Sequence, residues 1–296
     1  MTGRPAPDES VCPWTVGGLV AHVEGILGAA RLPDAIPEAR DLVAAVAGEG
    51  RFWPRLQAAC PAADDLVGRA TAAARARASG APFAYAVGRA SFRHLTLRVD
   101  QRVLIPRQET EVLVDLVLAA HATRTGGVVA DVGTGSGAIA LALASEGSFD
   151  RVVATDVAAD ALAVARRNAG CLRPEAQRRL EFRVGDLLAP LAGERFDILV
   201  SNPPYIAFTE AQALPAAVRD WEPPQALLSP EDGLSHTRRL VAGAPVLLCR
   251  GGLLALEVDA RRASRVADMV AAAGFADVTV RRDLAGRDRF VLAVRR

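Results

Sequence analysis

Past residue 127 the chain repeats one pattern: a short β-branched, apolar run, then a stretch with helical spacing. Val128-Val129-Ala130-Asp131 is the first run and Val152-Val153-Ala154-Thr155-Asp156 the second. Leu180-Glu181-Phe182-Arg183-Val184, Phe196-Asp197-Ile198-Leu199-Val200-Ser201 and residues 253–258 follow. Strands alternating with helices predict an α/β, mostly parallel, doubly wound sheet. Two more runs, residues 276–280 and 289–294, close the chain with only residues 281–288 between them. A parallel crossover needs about a dozen residues or more, so the last strand is expected to run antiparallel.

The chain before residue 80 is different. It is rich in alanine and leucine, is punctuated by Pro33, Pro37, Pro54 and Pro61, and carries almost no strand signal. Residues 38–47 and 65–78 have helical spacing of apolar side chains. Residues 90–99 then alternate apolar and polar, and after Asp100-Gln101 comes Arg102-Val103-Leu104-Ile105. Two short strands about that turn predict a hairpin. The expected organisation is a helical domain over 1–84, a β-hairpin linker over 85–106 and a larger α/β domain over 107–296. A length of 296 residues suits one large domain and one small one.

Composition narrows the function. The formal net charge is +1, so the basic excess that usually accompanies phosphate binding is missing, and stable nucleic-acid binding is not expected. Cys12, Cys60, Cys171 and Cys249 form no Cys-x-x-Cys pair, and His22, His94, His121 and His236 are as dispersed. Neither a metal site nor a disulfide framework is expected. No apolar run reaches the length of a membrane span, and Met1-Thr2-Gly3-Arg4-Pro5 is too polar to open a secretory leader. The reading is a cytoplasmic monomer with no membrane partner.

Asp131-Val132-Gly133-Thr134-Gly135-Ser136-Gly137 follows a strand and opens a helix. Glycines there allow a tight turn and let a ligand approach bare backbone. Amides at the helix start can meet a carboxylate. The same glycines would also serve a sharp strand-to-helix turn with no ligand. A nicotinamide site expects Gly-x-Gly-x-x-Gly, whereas this run is Gly-x-Gly-x-Gly. Asp156 ends the second strand, where a carboxylate can accept from both hydroxyls of a ribose. Asp186 and Leu187 end the third, placed to meet an adenine amino group and to cover its ring; Asp186 has a second reading as a cap of the following turn.

Ser201-Asn202-Pro203-Pro204-Tyr205-Ile206 ends the fourth strand, and ligands of open α/β sheets bind beyond such carboxyl ends. An amide nitrogen is a poor nucleophile because its lone pair is delocalised into the carbonyl. The Asn202 side-chain oxygen and the Pro203 carbonyl can accept its two N–H bonds and turn it towards a sulfonium methyl. Pro203 and Pro204 stiffen the loop, and Tyr205 can pack on a planar target. The bland reading is a rigid proline turn.

These residues carry a resemblance. The chain resembles the HemK/PrmC family of protein-(glutamine-N5) methyltransferases, which modify peptide chain release factors. The likeness runs from about Gly80 to the C-terminus, through Gly80-Ala81-Pro82-Phe83-Ala84-Tyr85, Val103-Leu104-Ile105-Pro106-Arg107-Gln108-Glu109-Thr110-Glu111, Trp221-Glu222-Pro223, Asp232-Gly233-Leu234 and Asp283-Leu284-Ala285-Gly286-Arg287-Asp288-Arg289. It implies a Rossmann-like catalytic domain using S-adenosylmethionine (SAM) and a helical domain that docks substrate. Gly133, Thr134, Gly135, Ser136, Gly137, Asp156, Asp186, Leu187 and Asn202 would bind SAM. Asn202, Pro203, Pro204 and Tyr205 would hold the glutamine of a Gly-Gly-Gln tripeptide. Gln108 stands where proline is usual, and Asp259 and Arg262 where glycine and glutamine are usual. The competing readings are a DNA N6-adenine methyltransferase, whose target nitrogen is also planar and delocalised, and a SAM-fold binding protein without catalysis. A nicotinamide oxidoreductase fits the glycine spacing worst.

Overall fold

Leucines and alanines three and four residues apart need a partner surface, and in the first unit three helices supply it to one another. The computed structural model describes residues 14–296; the Met1-Thr2-Gly3-Arg4-Pro5 opening and Cys12 lie outside them. Helices α1 (Val16–Ala29), α2 (Ala35–Ala47) and α3 (Asp64–Ala78) bury Leu19, Val23, Leu42, Val43, Leu66 and Ala70 in a common core. The Thr15 hydroxyl accepts from the Gly18 amide at 3.0 Å and caps α1. Arg77 reaches Glu38 at 2.5 Å, tying α3 to α2. A short helix, Phe83–Val87, ends on Gly88 at φ +71°. The division between the two units of the chain falls after Gly88.

The second unit opens with a hairpin of β1 (Arg89–Phe92) and β2 (Leu95–Arg98). Its turn lies at Arg93-His94, not at the expected Asp100-Gln101. Three carboxylates draw the chain round there. Arg93 takes φ +54°, its N–H donates to Glu111 Oε1 at 3.0 Å, and its guanidinium meets Asp115 at 2.8 Å and Glu146 at 2.7 Å. The segment 102–105, expected as the second strand, is irregular because its amides are taken elsewhere. Arg102 N–H donates to Asp100 Oδ1 at 3.1 Å and Ile105 N–H to Glu222 Oε2 at 3.3 Å.

Seven strands form the main sheet: β3 (Val128–Val132), β4 (Arg151–Asp156), β5 (Leu180–Val184), β6 (Phe196–Ser201), β9 (Leu248–Glu257), β10 (Phe275–Arg282) and β11 (Asp288–Arg295). The order is β10-β11-β9-β6-β3-β4-β5. β3, β4, β5, β6 and β9 pair in parallel, while β11 is antiparallel to both β9 and β10, as the short final connection requires. Two small strands, β7 (Ile206–Ala207) and β8 (Leu228–Ser229), pair beside the main sheet.

Alternation along the strands divides the core by face. Val129, Ile198, Val200 and Ala255 pack with Leu113 and Val117 of α4 (Gln108–His121), with α5 (Ala138–Glu146), and with Ala169 of α6 (Ala159–Ala169). Ala130, Leu199, Leu254 and Leu256 pack with Leu240 of α7 (Ser235–Leu247) and Val266 of α8 (Ala263–Ala272). Both faces are covered, and the carboxyl ends of β3 to β6 are left to the loops that carry the site. No helix among the described residues is long and apolar enough to cross a membrane.

Candidate active site

Asp131 is the post on which the glycine turn is hung. Its fully buried Oδ2 accepts from the Thr134 hydroxyl at 2.6 Å and from the Ala140 amide at 3.0 Å. Burial pushes this carboxyl up to about 7. Gly133 and Gly135 stand at φ +77° and +55°, in left-handed backbone that costs glycine nothing. At Gly137 the reason is space as well: a Cβ would sit 3.2 Å from Ala165 of α6. Thr134 and Ser136 are buried, so of the five residues of this run expected at a cofactor, Gly133 and Gly135 line the cleft above.

That cleft holds about 740 Å³ and opens to solvent. Asp156, Asp186, Leu187, Asn202 and Pro204 also line it, so strands β3 to β6 deliver their ends to one place. Asp156 accepts from the Gly135 amide at 2.9 Å and the Ala158 amide at 2.9 Å, and burial raises its pKa. Asp186 is half-exposed and pairs with Arg239 at 2.5 Å. Leu187 takes φ +47°, and Val157, exposed beside Asp156, lines the cleft too.

A second cleft, of about 580 Å³, adjoins the first. Pro203 and Tyr205 line it, and it shares Leu104, Asn202, Pro204 and Ala226 with its neighbour. The Asn-Pro-Pro-Tyr loop is thus the wall between them. Ser201 anchors the base of that wall by donating to the Val132 carbonyl at 2.6 Å. Asn202 Nδ2 donates to Thr110 Oγ1 at 3.1 Å, and among the described residues none donates to its Oδ1. Thr110 donates in turn to Glu257 Oε2 at 2.7 Å. Burial pushes Glu257 up to about 7, and burial together with the Glu257 charge raises the Tyr205 phenol.

The rest of the loop is clamped from outside. Arg262 reaches the Tyr205 carbonyl at 3.4 Å, Glu210 at 2.9 Å and Asp259 at 2.8 Å. Gly233, at φ +83°, passes so close that a Cβ would lie 2.5 Å from the Tyr205 oxygen. Arg107 pairs with the buried Glu222 at 2.5 Å.

Residues 108–218 match the model of the methyltransferase small domain. The chain is 45% identical to the release factor glutamine methyltransferase of Moorella thermoacetica over 253 residues, 85% of this chain and 82% of the relative. It is 41% identical to that of Cereibacter sphaeroides over 267 residues, 90% of this chain and 94% of the relative. The chain belongs to the release factor glutamine methyltransferase family. Solved structures share the fold at lower identity. The hMettl16 catalytic domain in complex with MAT2A 3'UTR hairpin 1 gives a TM-score of 0.55 at 17% identity, covering 78% of this chain and 80% of that one. The Thermus thermophilus 16S rRNA N2 G1207 methyltransferase in complex with AdoMet and guanosine gives 0.50 at 17%, covering 70% and 50%.

Family motifs that carried no role in the sequence acquire one here. Trp221-Glu222-Pro223 supplies the carboxylate for Arg107, and Asp232-Gly233-Leu234 supplies the residue that lets Tyr205 approach. In the sequence Thr110 stands only within the stretch 103–111 that carries the resemblance, and Glu257 only within the fifth strand run, neither with a role. Asp259 and Arg262, which depart from the usual family residues, are partners of each other.

Proposed function

We propose that this family member transfers a methyl group from SAM to the side-chain amide nitrogen (N5) of the Gly-Gly-Gln glutamine in a peptide chain release factor. The observation that carries it is the wall: Asn202 and Pro204 face both clefts, so one loop borders a cofactor on one side and a target on the other.

The first cleft fits SAM by its two carboxylates and by the open glycine turn. With no Cβ at Gly133 and Gly135, whose amides are given to the Thr155 carbonyl and to Asp156, the turn leaves room for the methionine part. Asp156 lies where ribose hydroxyls would donate, and Val157 and Leu187 offer apolar cover for a purine. Asp186 would receive the adenine amino group alongside Arg239. When bound, SAM supplies a methyl on a positively charged sulfur. The chain's own part is to hold the target nitrogen. Asn202 Oδ1 and the Pro203 carbonyl accept its two N–H bonds, which points the lone pair across the wall. Transfer would leave S-adenosylhomocysteine and an N-methyl amide with an extra proton, which it would lose readily to water, so no strong base would be needed. Proximity and orientation of this kind can contribute on the order of 7–11 kcal/mol in favourable cases. The N-terminal helices α1 to α3 take the substrate-docking role.

Methyl-labelled SAM is incubated with a purified release factor, with the same factor carrying Gln→Ala in its Gly-Gly-Gln, and with duplex DNA. Label on the first alone is expected. Label on DNA, or equal label on both proteins, overturns the glutamine assignment.

A further inference from the structure

Asn202 can do its work only one way round. The two ends of a carboxamide are nearly the same size, but one accepts and the other donates. Turned over, Asn202 would present N–H to the N–H of a target amide. Something must therefore hold its polarity, and three elements meet to do so. Thr110 lies in the first turn of α4, Glu257 ends β9, and Asn202 follows β6. A threonine hydroxyl owns one proton, and Thr110 gives it to Glu257 Oε2 at 2.7 Å. Towards Asn202 that oxygen can then only accept, and it takes Nδ2–H at 3.1 Å. Thr110 is 5% and Glu257 1% exposed, so water does not compete for the hydroxyl.

We propose that Thr110 and Glu257 are positioning residues that lock the Asn202 amide with its oxygen towards the target nitrogen. The inference rests on the glutamine reading above and adds a relay behind the loop to it.

The relay has a pH dependence of its own. Glu257 faces Arg107 and Glu109 at the start of α4, Arg289 of β11 and the Tyr205 phenol. Burial outweighs the two arginines and pushes its carboxyl up to about 7. Protonated Glu257 can donate to Thr110, whose own proton is then released to turn towards Asn202. The lock is present with Glu257 ionised and is lost as pH falls through that value.

The test measures kcat and KM for a release factor, and SAM affinity, from about pH 6 to about pH 9. It uses the full chain as wild type, Thr110→Val, Thr110→Ser and Glu257→Gln. Thr110→Val keeps the shape and removes the hydroxyl. We expect it to lower kcat by about 10²-fold, the scale of a small misplacement, with SAM affinity changed only a few-fold. Thr110→Ser restores kcat. The wild-type kcat rises through about pH 7, and this inflection is absent from Glu257→Gln. Near-normal kcat in Thr110→Val, or an unchanged inflection in Glu257→Gln, overturns the relay. Should Glu257→Gln fail to fold, the Thr110 pair decides alone. The side-chain amide signals of Asn202 in ¹⁵N NMR, identified by their loss in Asn202→Asp, read the relay without turnover. They are expected to shift with pH near neutrality and to change in Thr110→Val; if they do neither, the relay is wrong. Wild type that binds SAM but leaves every release factor unlabelled removes the glutamine reading, and the amide signals still decide the relay.

Discussion

Asn202 and Asp156 line the same cleft and should fail in different ways when altered. In the proposed reaction Asn202 holds the target nitrogen, so Asn202→Ala is expected to lower kcat by about 10²-fold or more while SAM affinity moves only a few-fold. Asp156 holds the glycine turn through Gly135 and faces the expected ribose position. Asp156→Ala should mainly weaken SAM binding, which calorimetric titration reports. Equal losses of affinity in both variants would mean that the wall does not separate the two roles. Asn202 was legible as a candidate, because the strand end and the prolines mark it within six neighbouring residues. Its support was not. Thr110 lies 92 residues from Asn202 and 147 from Glu257; the pairing of β6 beside β9 and the packing of α4 bring them together.

Among the elements, the strands read most cleanly from sequence. Residues 180–184 and 196–201 are the strands expected, because alternation and flanking turn residues bound them on both sides. The hairpin read less well. Its alternation is real, with Phe92, Leu95 and Leu97 buried, but the turn is decided by Glu111 and Glu146 from other elements. No local pattern contains that information. The approach of Gly233 to Tyr205 is another contact between elements, and it makes a sharp prediction. Gly233→Ala forces a Cβ against a backbone oxygen from a φ of +83°. Strain of this kind costs on the order of 1–3 kcal/mol, so the melting temperature should drop. Because the oxygen belongs to Tyr205, kcat should fall too; lost stability with normal kcat would show that the loop yields without moving the site.

At the scale of the whole molecule, two buried carboxyls set a pH slope. Asp131 and Glu257 are each pushed up to about 7 by burial. A carboxyl raised above its unfolded value binds more protons when folded. Its contribution to stability is therefore complete below the unfolded pKa and is lost as pH rises through the folded one. Glu257→Gln removes one such group. Relative to wild type, the variant should gain stability between about pH 4.5 and pH 7, by on the order of 3 kcal/mol from Glu257 alone. Denaturant melts of both proteins at the two ends of that range measure it; parallel pH profiles would place the Glu257 pKa near its ordinary value.

The wall of Asn202 and Pro204 has one more consequence. Two clefts that meet along Leu104, Asn202, Pro204 and Ala226 would, on the proposed reading, take cofactor and target from different sides. A spent cofactor would then leave by one side and a methylated protein by the other, and neither would wait for the other to clear the way. Product inhibition makes that visible. S-adenosylhomocysteine should compete with SAM and leave the apparent affinity for the release factor untouched, whereas strictly ordered traffic through one shared mouth would couple the two.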